Sequence, residues 1–358
     1  MNTWRTGSAV SRWKVLVLPA ACALGALAAA AAQPEPPPAP TKLTVVDYKQ
    51  QGNPPTGPYA VVVEHDPGLA THTIYRPADL GKKKHGVVVW GEGGCAKNGL
   101  TFPEYLSEIA SYGFVIVADG PPIQRAGGPG PGGRGGPGAP GARPGGPPGA
   151  GGPGGPGGPR AGGPPGGGAR AGGPPGGGMA MGDDGKALIA AIDWIEKESK
   201  DKNSRFYKKV DTRHIAAMGM SCGGIMSYGA AHDPHVSTVG IWNSGMFTDE
   251  DREEIFDTMH GSVIIITGGD SDMAHDNGKN DFERMPKNIP VFYGLYPSVG
   301  HGGTYSQDNG GPFGKVAVAW LKWQLDGDKS ATGKGFFMGK DCTICKDSNW
   351  QTQSRSLK

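Results

Sequence analysis

The chain has 358 residues, of which 64 are Gly and 33 are Pro, about 27% together, a fraction that in a whole protein indicates low complexity. The excess lies in residues 125–182, which hold 29 Gly, 14 Pro and five Arg but neither Asp nor Glu, and whose glycines keep no period of three, which excludes collagen. The formal net charge of +2 divides into +3 for residues 1–32, +5 for residues 125–182 and −6 for the remaining 268 residues. The negative charge of these 268 residues excludes the basic surface of a nucleic-acid-binding protein, and their number is enough for one large α/β domain.

The first 32 residues have the pattern of an export signal. Residues 1–14 are basic, residues 15–32 are apolar and rich in Ala, and three Ala precede Gln33. This order predicts a signal peptide cleaved near Ala32, a secreted or periplasmic protein, and no stable membrane span after cleavage. The alternative is an uncleaved anchor, because 18 apolar residues nearly span a bilayer. Residues 33–58 begin with a Pro-rich run and are predicted to form a tether ahead of the folded domain, 59–358.

After the tether, short β-rich segments alternate with helical ones. Continuous apolar runs at 86–90 and 114–118 are typical of strands buried on both faces of a sheet. Further strands are predicted at 60–64, 72–75, 214–219, 236–242, 263–267 and 291–296, and helices at 103–112, after Asp183, at 223–232 and at 316–325. The alternation predicts an α/β fold, with a mostly parallel twisted sheet flanked by helices, in one domain.

The low-complexity insertion at 125–182 follows the predicted strand at 114–118. It contains a ten-residue repeat that starts at Arg160 and again at Arg170, which is typical of sequence expansion. We expect it to be disordered and to leave the sheet at the carboxyl ends of the strands, where such sheets place their sites. Two roles remain open: an inert expansion, or a cationic loop that draws an anionic surface or polymer toward the site.

Four cysteines remain after signal cleavage, Cys95, Cys222, Cys342 and Cys345, an even number in an oxidising compartment. Cys342 and Cys345 are separated by two residues and lack the second ligand pair that a zinc site needs, so they predict a local disulfide.

His232 and His235 are a weak candidate for a metal pair. Pro234 interrupts their spacing, which favours the end of a helix followed by a turn. No metal and no cofactor is expected.

Ser221 is the candidate nucleophile. It lies in the run Gly219-Met220-Ser221-Cys222-Gly223, between a predicted strand and a predicted helix. In such a turn the glycines let the backbone reverse sharply, the serine hydroxyl is exposed, and the next amide points into the same space.

An acid and a histidine follow Ser221 in the chain. Asp272 comes after the predicted strand at 263–267, and His301 lies among glycines after the strand at 291–296. His301 would take the proton of Ser221, and Asp272 would fix the imidazole tautomer and stabilise its charged form. Asp270 is an alternative acid.

Two apolar residues are candidates for the wall of a substrate pocket. Trp242 ends the predicted strand at 236–242, and Met273 directly follows the candidate acid. For Trp242 a place in the hydrophobic core is an equal alternative.

The sequence resembles the α/β-hydrolases, and among them the dienelactone hydrolases, cutinases and polyester hydrolases. The resemblance extends over residues 60–324 and is carried by VVVWGEGGC at 87–95, by 109–118, by HIAAMGMSCGG at 214–224, by TGGDSD at 267–272 and by His301. It implies an α/β-hydrolase fold and a serine esterase that uses Ser221, Asp272 and His301. It also implies an oxyanion hole formed by the backbone amides of Cys222 and of Gly94, with Cys95 as the alternative to Gly94.

The implied oxyanion hole has a consequence for two cysteines. If Gly94 and Cys222 flank one hole, Cys95 and Cys222 are neighbours. The resemblance therefore implies a disulfide that fixes the oxyanion loop against the Ser221 turn; two small buried thiols are the equal alternative.

The sequence thus predicts a secreted, monomeric serine esterase that hydrolyses a carboxylic ester through an acyl-enzyme. Export and the family branch favour an extracellular ester, such as a cutin or terephthalate polyester or a plant phenolic ester, over a small soluble one. The alternatives are a peptidase or acyltransferase with the same triad, and a non-catalytic adhesion module with the same fold. The presence of Ser221, Asp272 and His301 together argues against the module.

Overall fold

The computed structural model describes residues 39–48, 50–124 and 185–358, which lie within one compact unit, Pro36–Lys358. The predicted signal peptide, the first part of the tether and the insertion at 125–182 lie outside the described residues. Within the described ranges, no helix is both long and apolar enough to cross a membrane.

The described strands form a single sheet. They are β1 (Thr44–Val45), β2 (Val61–His65), β3 (His72–Pro77), β4 (His85–Gly91), β5 (Val115–Asp119), β6 (Val210–Met220), β7 (Val236–Trp242), β8 (Ser262–Thr267), β9 (Val291–Leu295) and β10 (Gln351–Arg355). Their order in the sheet is β1-β2-β3-β5-β4-β6-β7-β8-β9-β10. The strands from β5 to β9 in that order run parallel, whereas β1, β2 and β3 are antiparallel at one edge and β10 is antiparallel at the other.

Helices cover both faces of this sheet. They are α1 (Pro103–Ser111), α2 (Lys186–Lys200), α3 (Cys222–Ala230), α4 (Asp249–Thr258), α5 (His275–Arg284), α6 (Gly311–Gln324), α7 (Lys334–Phe337) and α8 (Thr343–Lys346). The predicted α/β fold with a mostly parallel sheet is confirmed. The antiparallel edges were not foreseen, because a strand's own residues do not encode the direction of its neighbour.

The hydrophobic core has one layer on each face of the sheet. Side chains alternate along β4, so that Val88 and Trp90 pack in one layer and Val87 and Val89 in the other. The first layer lies under α1 and α6, and the second lies under α2 and α3. Burial on both faces explains why β4 is apolar without alternation.

Part of the predicted tether, from Thr44 onward, contacts the folded domain. Residues of β1 pair with β2. Farther along, Thr56 N donates to Glu108 Oε2 (2.8 Å) and Gly57 N donates to Ser111 Oγ (3.0 Å), both acceptors being on α1. Val46 and Tyr48 also pack against the hydrophobic core, but the rest of this segment is held by hydrogen bonds, so its polar and Pro-rich composition concealed it.

Three polar elements also escaped prediction. In α4 the buried side chains are Arg252 and Phe256, too few for a helical apolar period. In α5, Phe282 supplies the large apolar contact. The edge strand β10 has the sequence QTQSR and is held by backbone pairing with β9, which needs no apolar pattern.

The parallel strands end at one edge of the sheet. There β4 ends at Gly91, β6 at Met220, β7 at Trp242 and β8 at Thr267. The loops that follow these strands carry the candidate site residues, so the sheet topology brings together residues that are far apart in the chain.

Candidate active site

Ser221 lies in a strained turn between β6 and α3. Its backbone has φ 54° and ψ −117°, a conformation that costs a residue with a side chain on the order of 1–3 kcal/mol. Hydrogen bonds maintain it: Ser221 N donates to Trp242 O (2.9 Å), and Ser221 O accepts from Ser244 Oγ (2.6 Å) and Gly224 N (2.9 Å). The surrounding fold therefore fixes the direction of the serine hydroxyl.

Glycines permit this turn by close backbone contact. A Cβ atom on Gly223 would overlap the carbonyl group of Gly91, and one on Gly219 would overlap the backbone of Gly223. The first turn of α3 thus packs directly on the ends of β4 and β6, where no side chain fits.

His301 bridges Ser221 and Asp272. Its Nε2 lies 2.9 Å from Ser221 Oγ, and its Nδ1 lies 2.7 Å from Asp272 Oδ1. An ionised carboxylate can only accept, so Nδ1 carries the proton and Nε2 accepts from the serine hydroxyl. The imidazole is 24% exposed, whereas the Asp272 carboxylate is fully buried.

The Asp272 carboxylate is surrounded by donors. Besides His301, Oδ1 accepts from Ala274 N (3.0 Å), and Oδ2 accepts from Gly268 N (2.9 Å) and Asn243 Nδ2 (2.8 Å). Burial by itself would raise the pKa of Asp272, but these hydrogen bonds, led by that from His301, hold its pKa below the ordinary value. The acid is therefore kept ionised beside the imidazole.

The structure selects between the two candidate acids. Asp270 is exposed and lines a separate cleft of about 500 Å³ with His275 and Lys279. Asp272, two residues later, reaches His301 because the chain turns back after Gly269, whose φ is +87°.

Asn243 was not singled out from the sequence. It directly follows β7, is fully buried and has φ 44°. Its amide contacts both Asp272 and the loop that carries His301. In the sequence, the position of Asn243 directly after a predicted strand is what could have indicated its role, because that strand lies next to the one that leads to Asp272.

The loop after β4 and the start of α3 face one cleft. Gly94 and Cys95 have φ values of 65° and 50°, and Cys222 is the first residue of α3. Amides in the first turn of a helix have no intrahelical acceptor and are free to bind an anion. All three residues line the cleft that contains Ser221.

Both cysteine pairs form disulfides. Cys95 and Cys222 are bonded, with Cα atoms 5.2 Å apart, so the β4 loop is tied to the residue that follows Ser221. This is the pairing that the resemblance implied. Cys342 and Cys345 form the second disulfide, at the start of α8.

The Ser221 cleft has a volume of about 250 Å³. Its lining residues are Gly94, Cys95, Ser221, Cys222, Ile225, Asn243, Ser244, Gly245, Phe247, Met273, Ala274, Asn277 and His301. Phe247 and Met273, which we call the apolar rim, are 50% and 82% exposed. The lining residues include no Asp, Glu, Lys or Arg.

Trp242 does not line this cleft. Its interpretation as a pocket-wall residue is therefore wrong, and its placement in the hydrophobic core is confirmed. It is fully buried between Tyr105 (ring centroids 5.7 Å apart) and Phe313 (5.8 Å apart). Side-chain alternation along β7 directs Ile241 to the α2 and α3 face, and therefore Trp242 to the α1 and α6 face. Met273 does line the cleft.

The described part of the chain contains no group of three or more His, Cys, Asp or Glu side chains that could hold a metal ion. His232 and His235 follow the end of α3, where His235 Nδ1 lies 2.9 Å from Asp233 Oδ1.

No protein-family model matches the chain, and comparison with curated proteins finds no significant sequence similarity. The functional interpretation therefore depends on the geometry of the site itself.

Proposed function

We propose that the protein is a serine hydrolase with an α/β-hydrolase fold, which cleaves carboxylic esters through an acyl-enzyme on Ser221. The observation that supports this most directly is the continuous hydrogen-bonded series from Ser221 Oγ through His301 to Asp272, with distances of 2.9 and 2.7 Å. A nucleophile within hydrogen-bond reach of a base that is itself oriented by an acid is the arrangement that acyl transfer requires.

In the acylation step, Ser221 Oγ attacks the ester carbonyl carbon while His301 Nε2 takes the hydroxyl proton. Asp272 stabilises the imidazolium without becoming protonated. The negative charge on the tetrahedral intermediate is accepted by the backbone amides of Cys222 and Gly94. Collapse of the intermediate breaks the bond to the alcohol oxygen, which receives the proton from His301 and leaves.

In the deacylation step, a water molecule replaces the alcohol. His301 Nε2 removes one water proton as the oxygen attacks the acyl carbon, and the same amides bind the second oxyanion. The proton then passes to Ser221 Oγ as the acid is released. Each oxyanion donor typically contributes about 3–4 kcal/mol to lowering the barrier.

The lining of the cleft supports an uncharged substrate. The absence of Asp, Glu, Lys and Arg from its lining residues offers no partner to a charged peptide side chain. Phe247 and Met273 instead present apolar surface at the entrance. A neutral ester with an apolar acyl or alcohol group fits these features best, and a polymeric ester could reach the site because the apolar rim is exposed.

The test is hydrolysis of p-nitrophenyl acetate, butyrate and octanoate by the mature wild-type protein and by Ser221→Ala. We expect turnover by the wild type and a loss of about 10⁴-fold or more in the variant. Ser271→Ala removes an exposed hydroxyl from the loop before Asp272 and serves as the matched control. A fluorophosphonate should modify Ser221, which peptide mass spectrometry can locate. A folded wild type that hydrolyses none of these esters would contradict the proposal.

A further inference from the structure

Asn243 connects the candidate acid to the loop that carries the candidate base. Its Nδ2 donates to Asp272 Oδ2 (2.8 Å) and to the carbonyl oxygen of Gly300 (3.2 Å), the residue before His301. Its Oδ1 accepts from the hydroxyl of Tyr305 (2.6 Å), four residues after His301. One buried side chain thus contacts the acid and both sides of the base.

Hydrogen-bond chemistry permits a single orientation of this amide. The Asp272 carboxylate and the Gly300 carbonyl can only accept, so Nδ2 must face them. Oδ1 then faces Tyr305, whose hydroxyl must donate. Burial raises the pKa of Tyr305 well above its ordinary value, which keeps that proton in place. Tyr305 and Asn243 are both fully buried, so water does not compete for these bonds.

We propose that Asn243 is a positioning residue, oriented by Tyr305, that holds the Asp272 carboxylate and the His301 loop in the arrangement needed for proton transfer from Ser221. This inference rests on the proposed function. Oδ2 of Asp272 is occupied by Asn243 and by the amide of Gly268, so Oδ1 is the oxygen directed at His301.

The backbone supports the same role. Asn243 has φ 44°, a region that Asn tolerates better than most residues, and its N donates to Ile266 O (2.7 Å) on the neighbouring strand β8. Its side chain is thereby fixed between the ends of β7 and β8. A Cβ on Gly303 would lie 3.0 Å from Asn243 Oδ1, so the His301 loop also packs closely on the amide.

The titratable groups that face Asp272 decide how a change at Asn243 would be observed. They are His301 on the loop after β9, Tyr305 on the same loop, and Tyr293 on β9. Tyr305 and Tyr293 both have raised pKa values because they are buried, so they stay neutral over the working range. His301, which is hydrogen-bonded to Asp272 Oδ1, is therefore the group through which a displacement of that carboxylate is observed.

The test compares Asn243→Asp, Asn243→Ala and Tyr305→Phe by kcat and KM on p-nitrophenyl butyrate. Two buried carboxyl groups at this hydrogen-bond distance share one proton, so the side chain introduced by Asn243→Asp can donate one O–H, to Asp272 or to the Gly300 carbonyl but not to both, and kcat should fall by about 2- to 10-fold, less than in the alanine variant. Loss of a hydrogen bond to a charged group should lower kcat of the alanine variant by about 10- to 100-fold with little change in KM. Tyr305→Phe keeps the ring and should lower kcat by about 2- to 10-fold.

Thr238→Val is the matched control. Thr238 is a fully buried residue at the other end of β7, where its hydroxyl is hydrogen-bonded to Ser262 and to Trp320. It should lower the melting temperature without lowering kcat. If Asn243→Ala folds and lowers kcat no more than Thr238→Val does, Asn243 is only a structural residue and the inference is wrong.

NMR of the His301 Nδ1 proton separates this inference from the proposed function, because it reports the hydrogen bond to Asp272 without turnover. If the wild type hydrolyses no ester, the esterase proposal fails, yet Asn243→Ala should still shift or broaden this proton resonance relative to Thr238→Val. An unchanged His301 Nδ1 proton resonance in Asn243→Ala would overturn the inference even if the wild type is an active esterase.

Discussion

Removal of the Cys95–Cys222 disulfide should both destabilise the folded protein and lower its kcat. The bond closes a loop with a sequence separation of 127. By restricting the unfolded chain, a loop of this length adds about 5 kcal/mol to the free energy of unfolding. The Cys342–Cys345 bond spans a separation of 3, for which the same relation gives about 1.5 kcal/mol. The double variants Cys95→Ser/Cys222→Ser and Cys342→Ser/Cys345→Ser are therefore a matched pair.

The first variant should also lose activity, because the disulfide ties the β4 loop to the start of α3. Serine at position 222 retains the backbone amide, so the proposed oxyanion donor itself is still present. What changes is the freedom of residues 94 and 95, which have left-handed backbone angles in a loop that the bond restrains. Complete loss of one oxyanion donor costs about 10²–10³-fold in kcat, so we expect a partial loss of about 10- to 100-fold.

The assay is urea unfolding of the oxidised protein, followed by tryptophan fluorescence, together with kcat on p-nitrophenyl butyrate. The variant without Cys95–Cys222 should unfold at a clearly lower urea concentration than the variant without Cys342–Cys345, and it alone should have a reduced kcat. Equal midpoints for the two variants would refute the argument from loop length. A normal kcat in the folded Cys95→Ser/Cys222→Ser variant would refute the role of the bond in the oxyanion loop.

Other changes test single parts of the site. Asp272→Asn should lower kcat by about 10⁴-fold by disturbing the imidazole tautomer. Folding lowers the pKa of Asp272 from its ordinary value of 3.8, so the ionised carboxylate adds stability above pH 3.8. This contribution is lost as the pH falls through the lower pKa of the folded state. The melting temperature of Asp272→Asn should accordingly depend less on acid pH than that of the wild type. Replacing Phe247 or Met273 by Ser should raise KM for p-nitrophenyl octanoate more than for the acetate, whereas Val45→Thr, on the exposed outer strand β1 and outside the cleft, should change neither. Gly223→Ala should prevent folding or abolish activity, since its Cβ overlaps backbone at the end of β4, and a folded variant with normal kcat would contradict the described turn.

Local sequence patterns were enough to define most elements and the approximate position of the site. Strands such as β4 and β5 were predictable because burial on both faces demands uninterrupted apolar residues. The turn at Ser221 was predictable because glycines on both sides of a serine, between a strand and a helix, permit the sharp reversal that exposes a nucleophile. The positions of Asp272 and His301 after later strands followed from the same alternation.

Long-range packing selects which of these residues meet. The choice of Asp272 over Asp270, the placement of Trp242 in the core and the contact of Asn243 with the acid all depend on how strand ends lie side by side. The polar elements α4 and β10 likewise form because a neighbouring segment of the same chain supplies an ion pair to α4 and backbone hydrogen bonds to β10. Apolar periodicity encodes burial along one segment, whereas the hydrogen bonds that assemble a site join segments far apart in the chain, so their partners become defined when the sheet forms.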